Sequence, residues 1–335
     1  MFIHLSCASA FSFKYGTAQP RQLVERAGQF GAPALAITDR DSLAGVIRFV
    51  QATQEFGIAP IVGINLALDK SNNKSRVTLL AQSDGGWRSL CRLLSALRED
   101  RKNSSAPILN LAQLPDLSQY TKNLILLHGP ESSIADLITK HRSDLALIEF
   151  NKYRAFFAES VIECTSHLVA GDGPRSTNHA ARMLGFARDH DLPAIITNGV
   201  RMLDPQDGPI ADILDSARKL VPLHPRHVER KNNEAYLKDH DAMRALADEI
   251  ARAAGERNGR QLLRTTQRIA ERCILTPHQF GLGGIELPEP EVVGASNYQE
   301  LRTLLRSRCE TGLNWRYSTS ADLTKARAQI GRAHV

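Results

Sequence analysis

The sequence predicts an α/β protein: a distorted, seven-stranded (β/α) barrel over roughly the first 230 residues, then a mostly helical segment. Three observations point there. Short β-rich apolar runs alternate with longer stretches of helical periodicity as far as about Asn198, the pattern of successive βα units in a parallel sheet. Seven such runs occur without an obvious sheet edge, which favours a closed or nearly closed barrel. After Gly255 this rhythm stops.

In chain order, strands are expected over residues 2–5, 34–38, 60–68, 76–81, 124–128, 160–164 and 193–198. Between them, apolar residues fall at helical spacing, as in Leu43, Val46, Ile47 and Val50 or Leu90, Leu93, Leu94 and Leu97, with charged and amide side chains opposite. In such barrels the residues just after each strand share one rim, so Ser6, Asp39, Arg40, Asn65, Asn198 and Arg201 are expected to converge. Residues 100–119, rich in Ser, Asn and Pro, read as a surface excursion. Residues 211–254 are helical and highly charged around a basic loop, 222–231. Beyond them come a helix ending near Cys273, a Gly/Pro-rich connection over 281–290, and a helix carrying Arg302, Arg306 and Arg308. A first domain over 1–270 and a second over 271–329 are expected. The last six residues, 330–335, read as a foreign tail of sequencing-adapter origin, with the reading frame cut short there.

The chain has 335 residues, 42% apolar and 23% charged, and its longest apolar runs fall short of the roughly 20 residues of a membrane span. A soluble, cytoplasmic protein with no membrane partner is expected. The five cysteines (Cys7, Cys91, Cys164, Cys273, Cys309) are odd in number, scattered, and contain no C-x-x-C pair, which argues against a disulfide framework or zinc knuckle. The net charge of +6 permits a polyanionic partner without demanding one. His224 and His227 sit in the basic loop without an acidic partner at metal spacing, and the GLGG run at 281–284 lacks the Lys-Ser/Thr of a phosphate loop.

The motifs LSCASAFSFKYG (5–16), PRQLVERA (20–27), ALAITDRDSLAG (34–45) and PIVG (60–63) resemble the N-terminal polymerase-and-histidinol-phosphatase (PHP) domain of bacterial DNA polymerase III α subunits. They look closer to the error-prone branch of that family. The resemblance continues through LLAQ (79–82), GWRSL (86–90), LPAIITN (192–198), ADILDSA (211–217) and YLK (236–238). RIAERC (268–273) and GLNWRY (312–317) look like the entry into that family's palm.

The resemblance implies a PHP barrel followed by the start of a palm. It also implies a rim that, in active members, holds up to three divalent ions on His, Asp and Glu side chains. Here the His-x-His positions are Ser6 and Ala8, the Thr-Asp-His motif keeps Asp39 but has Arg40, the Gly-x-Glu motif has Asn65, and Arg201 replaces a further histidine. The site is therefore expected to be vestigial, with no catalytic residue and no metal. Arg40 and Arg201 would supply positive charge where ions sat, Asp39 being the obvious acid to pair with one of them. Two alternatives remain open. One is a metal-dependent phosphoesterase or proofreading 3'-5' exonuclease using His4, Asp39, Asp204 and Asp207; the other is a barrel that binds a phosphorylated ligand through Arg40 and Arg201. The resemblance further implies a DNA-directed DNA polymerase whose Mg2+-binding carboxylates lie in the palm beyond this sequence. Its implied partners are DNA and other replication or translesion proteins.

Overall fold

Apolar, β-branched runs become strands where both faces of the chain can be buried. Among the described residues six do so: β1 (Ala34–Ile37), β2 (Ala59–Ala67), β3 (Arg76–Ala81), β4 (Leu124–His128), β5 (Glu159–Cys164) and β6 (Ala194–Ile196). In this computed structural model they lie in that order in one curled sheet. β1 pairs in parallel with β2, and β4 with β5 and β5 with β6, whereas β3 runs antiparallel to both neighbours. The expectation of an all-parallel barrel is thereby corrected. Only eight residues (68–75) separate β2 from β3, fewer than the dozen or so a parallel crossover needs.

The expected first strand, residues 2–5, is not one of the six. Its backbone is nonetheless held on two sides: Ala36 N and Thr38 N donate to His4 O and Cys7 O beside β1, and Val200 N donates to Ser6 O beyond β6. Ala8 N donates in turn to Val200 O. By sharing its bonds between two flanking segments the N-terminal stretch joins the edges of the sheet, yet it makes only an isolated bridge, Cys7 with Val200.

The structure describes residues 1–68, 75–99, 107–228, 230–282, 289–317 and 320–332. The first part of the 100–119 excursion, most of the 281–290 connection and the last three residues of the expected tail lie outside them. Two compact units result, Met1–Leu282 and Gly283–Val335. In the first, the helices are α1 (Pro20–Gln29), α2 (Val46–Phe56), α3 (Ser83–Glu99), α4 (Leu114–Leu117), α5 (Ser133–Thr139), α6 (Ser143–Arg154), α7 (Thr177–Asp189), α8 (Gly208–Lys219), α9 (His240–Ala253) and α10 (Arg260–Cys273). Alternate strand residues face two ways. One set (Leu35, Ile37, Val62, Ile64) packs with α1, α2 and α3, while the other (Ala34, Ala36, Ile61, Leu80, Leu127, Val161, Ile195) meets Ile3 and Leu5 inside the curl. Ile269, Ala270 and Cys273 of α10 fill that interior, and Leu275 N bonds Pro60 O near the start of β2. The opposite end, where β1, β2, β4, β5 and β6 finish, is left as the rim.

The second unit contains α11 (Tyr298–Arg316), capped by Asn297, whose side chain accepts from Glu300 N, and α12 (Ser320–Arg332). Arg327 and Glu310 pair across them. On α11 Leu313 is buried, while Leu305 and Trp315 are exposed. No helix among the described residues is long and apolar enough to cross a membrane.

Candidate functional site

Four of the expected rim residues, Ser6, Ala8, Arg40 and Asn65, line one solvent-open pocket of about 530 Å³ together with Glu131, Glu163 and Arg175. The topology accounts for this. Parallel strands deliver their C-terminal ends to the rim, and antiparallel β3 delivers its beginning, so Arg76 stands there too. Arg76 Nε donates to Asn65 Oδ1, and its Nη2 bonds Asp41 and Asn65 O, both at 2.8 Å. The Asn65 amide donates to Thr78 Oγ1 at 3.0 Å.

The centre of the pocket is an ion-pair network. Arg40 Nη2 bonds both Glu131 oxygens at 3.1 and 3.3 Å, and Arg175 Nη2 donates to Glu131 Oε1. Burial alone would raise the Glu131 pKa; the guanidiniums of Arg40 and Arg175 outweigh it and hold the carboxyl down to about 2. The Arg40 guanidinium also lies 3.5 Å from the centroid of the Tyr15 ring. Glu163 is different. It is buried, accepts from Thr197 Oγ1 at 2.6 Å, and has its pKa raised by burial against the pull of its hydroxyl donors Thr197 and Ser6. A Cβ at Gly129 would stand 2.3 Å from Glu163 Oε2, so only glycine allows this approach.

Asp39 and Arg201 do not enter that pocket, and the expectation that Asp39 pairs with Arg40 or Arg201 is corrected. Asp39 is 2% exposed and accepts from Ser9 N (2.6 Å), Ser9 Oγ (2.9 Å) and Ser12 Oγ (2.7 Å). Burial raises its pKa against these donors. It fastens the loop of residues 9–16 to the end of β1. Arg201 forks onto Asp215 of α8 at 2.8 and 2.9 Å and also donates to Tyr15 O and Ala211 O.

The alternative ligand set is not assembled. His4 donates from Nε2 to Lys238 O and is held by burial to a pKa of about 4. Asp204 pairs with Arg26, and Asp207 accepts from Leu203 N and Thr17. His167 bonds Asn198 O, and burial, with Arg175 nearby, lowers it to about 3. Among the described residues no three His, Cys, Asp or Glu side chains come together as a metal site. Nor does the rim fit a divalent-ion cluster: Arg40, Arg76 and Arg175 bring fixed positive charge, both Asp39 oxygens are taken, and the buried Glu163 already accepts from Thr197.

Glu131 and Arg175 lie in loops outside every quoted motif, and Tyr15, although inside the 5–16 motif, carried no expected role. The strand-end rule could have pointed to Glu131, three residues after β4.

Residues 4–167 match the PHP domain family. The match spans just under half of the chain. Over most of its length the chain is also a relative of DNA polymerase III α subunits and error-prone DNA polymerases. It is 31% identical to the error-prone DNA polymerase of Symbiobacterium thermophilum, over 81% of this chain and 25% of that one. It is 28% identical to the DNA polymerase III subunit alpha of Buchnera aphidicola, over 92% of this chain and 26% of that one. The chain thus spans about a quarter of the length of these relatives. Among solved structures, a protein described as a metal-dependent phosphoesterase from Bifidobacterium adolescentis matches with a TM-score of 0.42 and 15% identity, over 74% of this chain and 96% of that one.

Proposed function

We propose that this chain is the PHP portion and the start of the palm of a cytoplasmic, error-prone DNA-directed DNA polymerase of the polymerase III α type, and that its PHP site is metal-free and structural. The kinship with the two polymerase groups supports the first part. The second is carried by one observation: Glu131, clamped between Arg40 and Arg175, occupies the middle of the rim. A multivalent cation can tie several loops together by gathering their carboxylates. Here the signs are reversed, one carboxylate gathering guanidiniums from the end of β1 and from the loop after β5, with the same cross-linking result. The parent polymerase would use Mg2+ in its palm and act on DNA in replication and translesion repair.

Metal analysis tests the structural role. After incubation with Mn2+, Zn2+ or Mg2+ and exhaustive dialysis, substoichiometric metal is expected by mass spectrometry of the eluted ions. Tight stoichiometric binding, or manganese-stimulated phosphoester hydrolysis lost in Asp39→Ala, would sink the reading in favour of a phosphoesterase or exonuclease.

A further inference from the structure

Beside the rim pocket opens a wider cleft that a structural role for the rim leaves without a task. We propose that it binds a single-stranded nucleic acid, with phosphates on its cationic walls and a base stacked on Phe13. Eight Arg or Lys side chains line its two connected halves against three acidic ones, and adding the acids behind the wall, Asp212 and Asp215, still leaves an excess of positive charge. Lys231 is exposed at the cleft and has no ion-pair partner among the described residues.

An aromatic platform stands at the lip. Phe13 lines the cleft beside Phe11 and is 80% exposed, an unfavourable position for an apolar ring. Its loop is built to hold it out. Lys14, in the left-handed region at φ 54°, donates from Nζ to Ala217 O at the end of α8 and lies 5.2 Å from the Phe13 ring centroid. Gly16 closes the loop so tightly that a Cβ would stand 2.1 Å from Ser9 O, and Asp39 clamps its base. A pre-positioned exposed ring beside a basic groove is the combination that holds unpaired bases; a duplex keeps its base faces stacked and would offer Phe13 nothing.

This inference rests on the metal-free reading in one respect, that no metal ion displaces Arg40 and Arg175 from Glu131 in the cleft wall. Metal content and oligonucleotide binding are separate readouts, so either can fail alone.

The test is fluorescence anisotropy of a labelled thymidine oligonucleotide of about 12 nucleotides with the full chain at low salt. Binding should weaken with added salt, Lys231→Ala should flatten the log–log salt dependence by about 0.7, and Phe13→Ala should weaken binding about 5- to 100-fold with an unchanged melting curve. The fluorescence of Phe13→Trp should be quenched on binding. No binding at low salt overturns the proposal. So does equal affinity for a duplex of the same length, or a Phe13→Ala variant that binds like the parent.

Discussion

Arg40 and Arg201 stand at two strand ends and both lie against the ring of Tyr15, at 3.5 and 4.4 Å from its centroid, yet they do different work. Arg201 only grazes the cleft wall: its side chain is 9% exposed, its fork is filled by an Asp215 that is fully buried, and it also donates to the backbone carbonyls of Tyr15 and Ala211. Arg40 is 18% exposed, shares Glu131 with Arg175, and looks into an open pocket. What differs is who supplies the acid. Asp215 belongs to the helical extension and serves Arg201 and Arg218 from beneath, so that pair welds the extension to the barrel. Glu131 sits on the rim, so its pair welds loop to loop and keeps positive charge facing solvent.

The comparison can be broken most forcefully at Asp215. Asp215→Ala leaves Arg201 buried without a counter-charge and is expected to cost about 3 to 5 kcal/mol in urea unfolding. A loss no larger than that of the Glu131 variant would erase the distinction. Glu131→Gln is expected to cost about 1.5 to 3 kcal/mol at pH 7, since two guanidiniums lose a charged acceptor. Its pH dependence is the sharper readout. The folded-state pKa of Glu131 lies at about 2, below the ordinary 4.5, so the carboxylate's stabilisation is complete above pH 4.5 and disappears as the pH falls toward 2. The gap between parent and Glu131→Gln should close across that window; a constant gap would mean that the charge is not its source. Smallest is Arg40→Gln, expected within about 1 kcal/mol because Arg175 still pairs with Glu131 at this partly exposed site.

Much of the barrel was legible because β1 to β6 are short, largely apolar runs, broken by polar residues such as Asn65, Arg76 and Glu163, whose apolar side chains can only be buried. The antiparallel direction of β3 was legible only in the length of the 68–75 connection. Residues 2–5 carry a strand-like pattern, but pattern reports burial rather than ladder pairing, and their bonds are divided between two flanking segments. At the rim, the strand-end rule expects Ser6, Arg40 and Asn65 together, and they line one pocket with Ala8, which the motif comparison supplies. It could not foresee that Asp39 turns toward Ser9 and Ser12 or that Arg201 turns toward Asp215, because side-chain partners depend on loops and helices whose approach no periodicity encodes. For the same reason Glu131 and Arg175, far apart in sequence, had no signature as a pair.

The joining of the sheet edges by the N-terminal stretch has a kinetic consequence. Ser6 cannot find Val200 until nearly two hundred further residues have been made. At translation rates of about 5 to 20 residues per second that is a wait of roughly 10 to 40 s, during which Ile3 and Leu5 have no finished interior to enter. A fold so dependent on a distant contact should assemble late and slowly, and its nascent chain is the stage at which a chaperone would matter most.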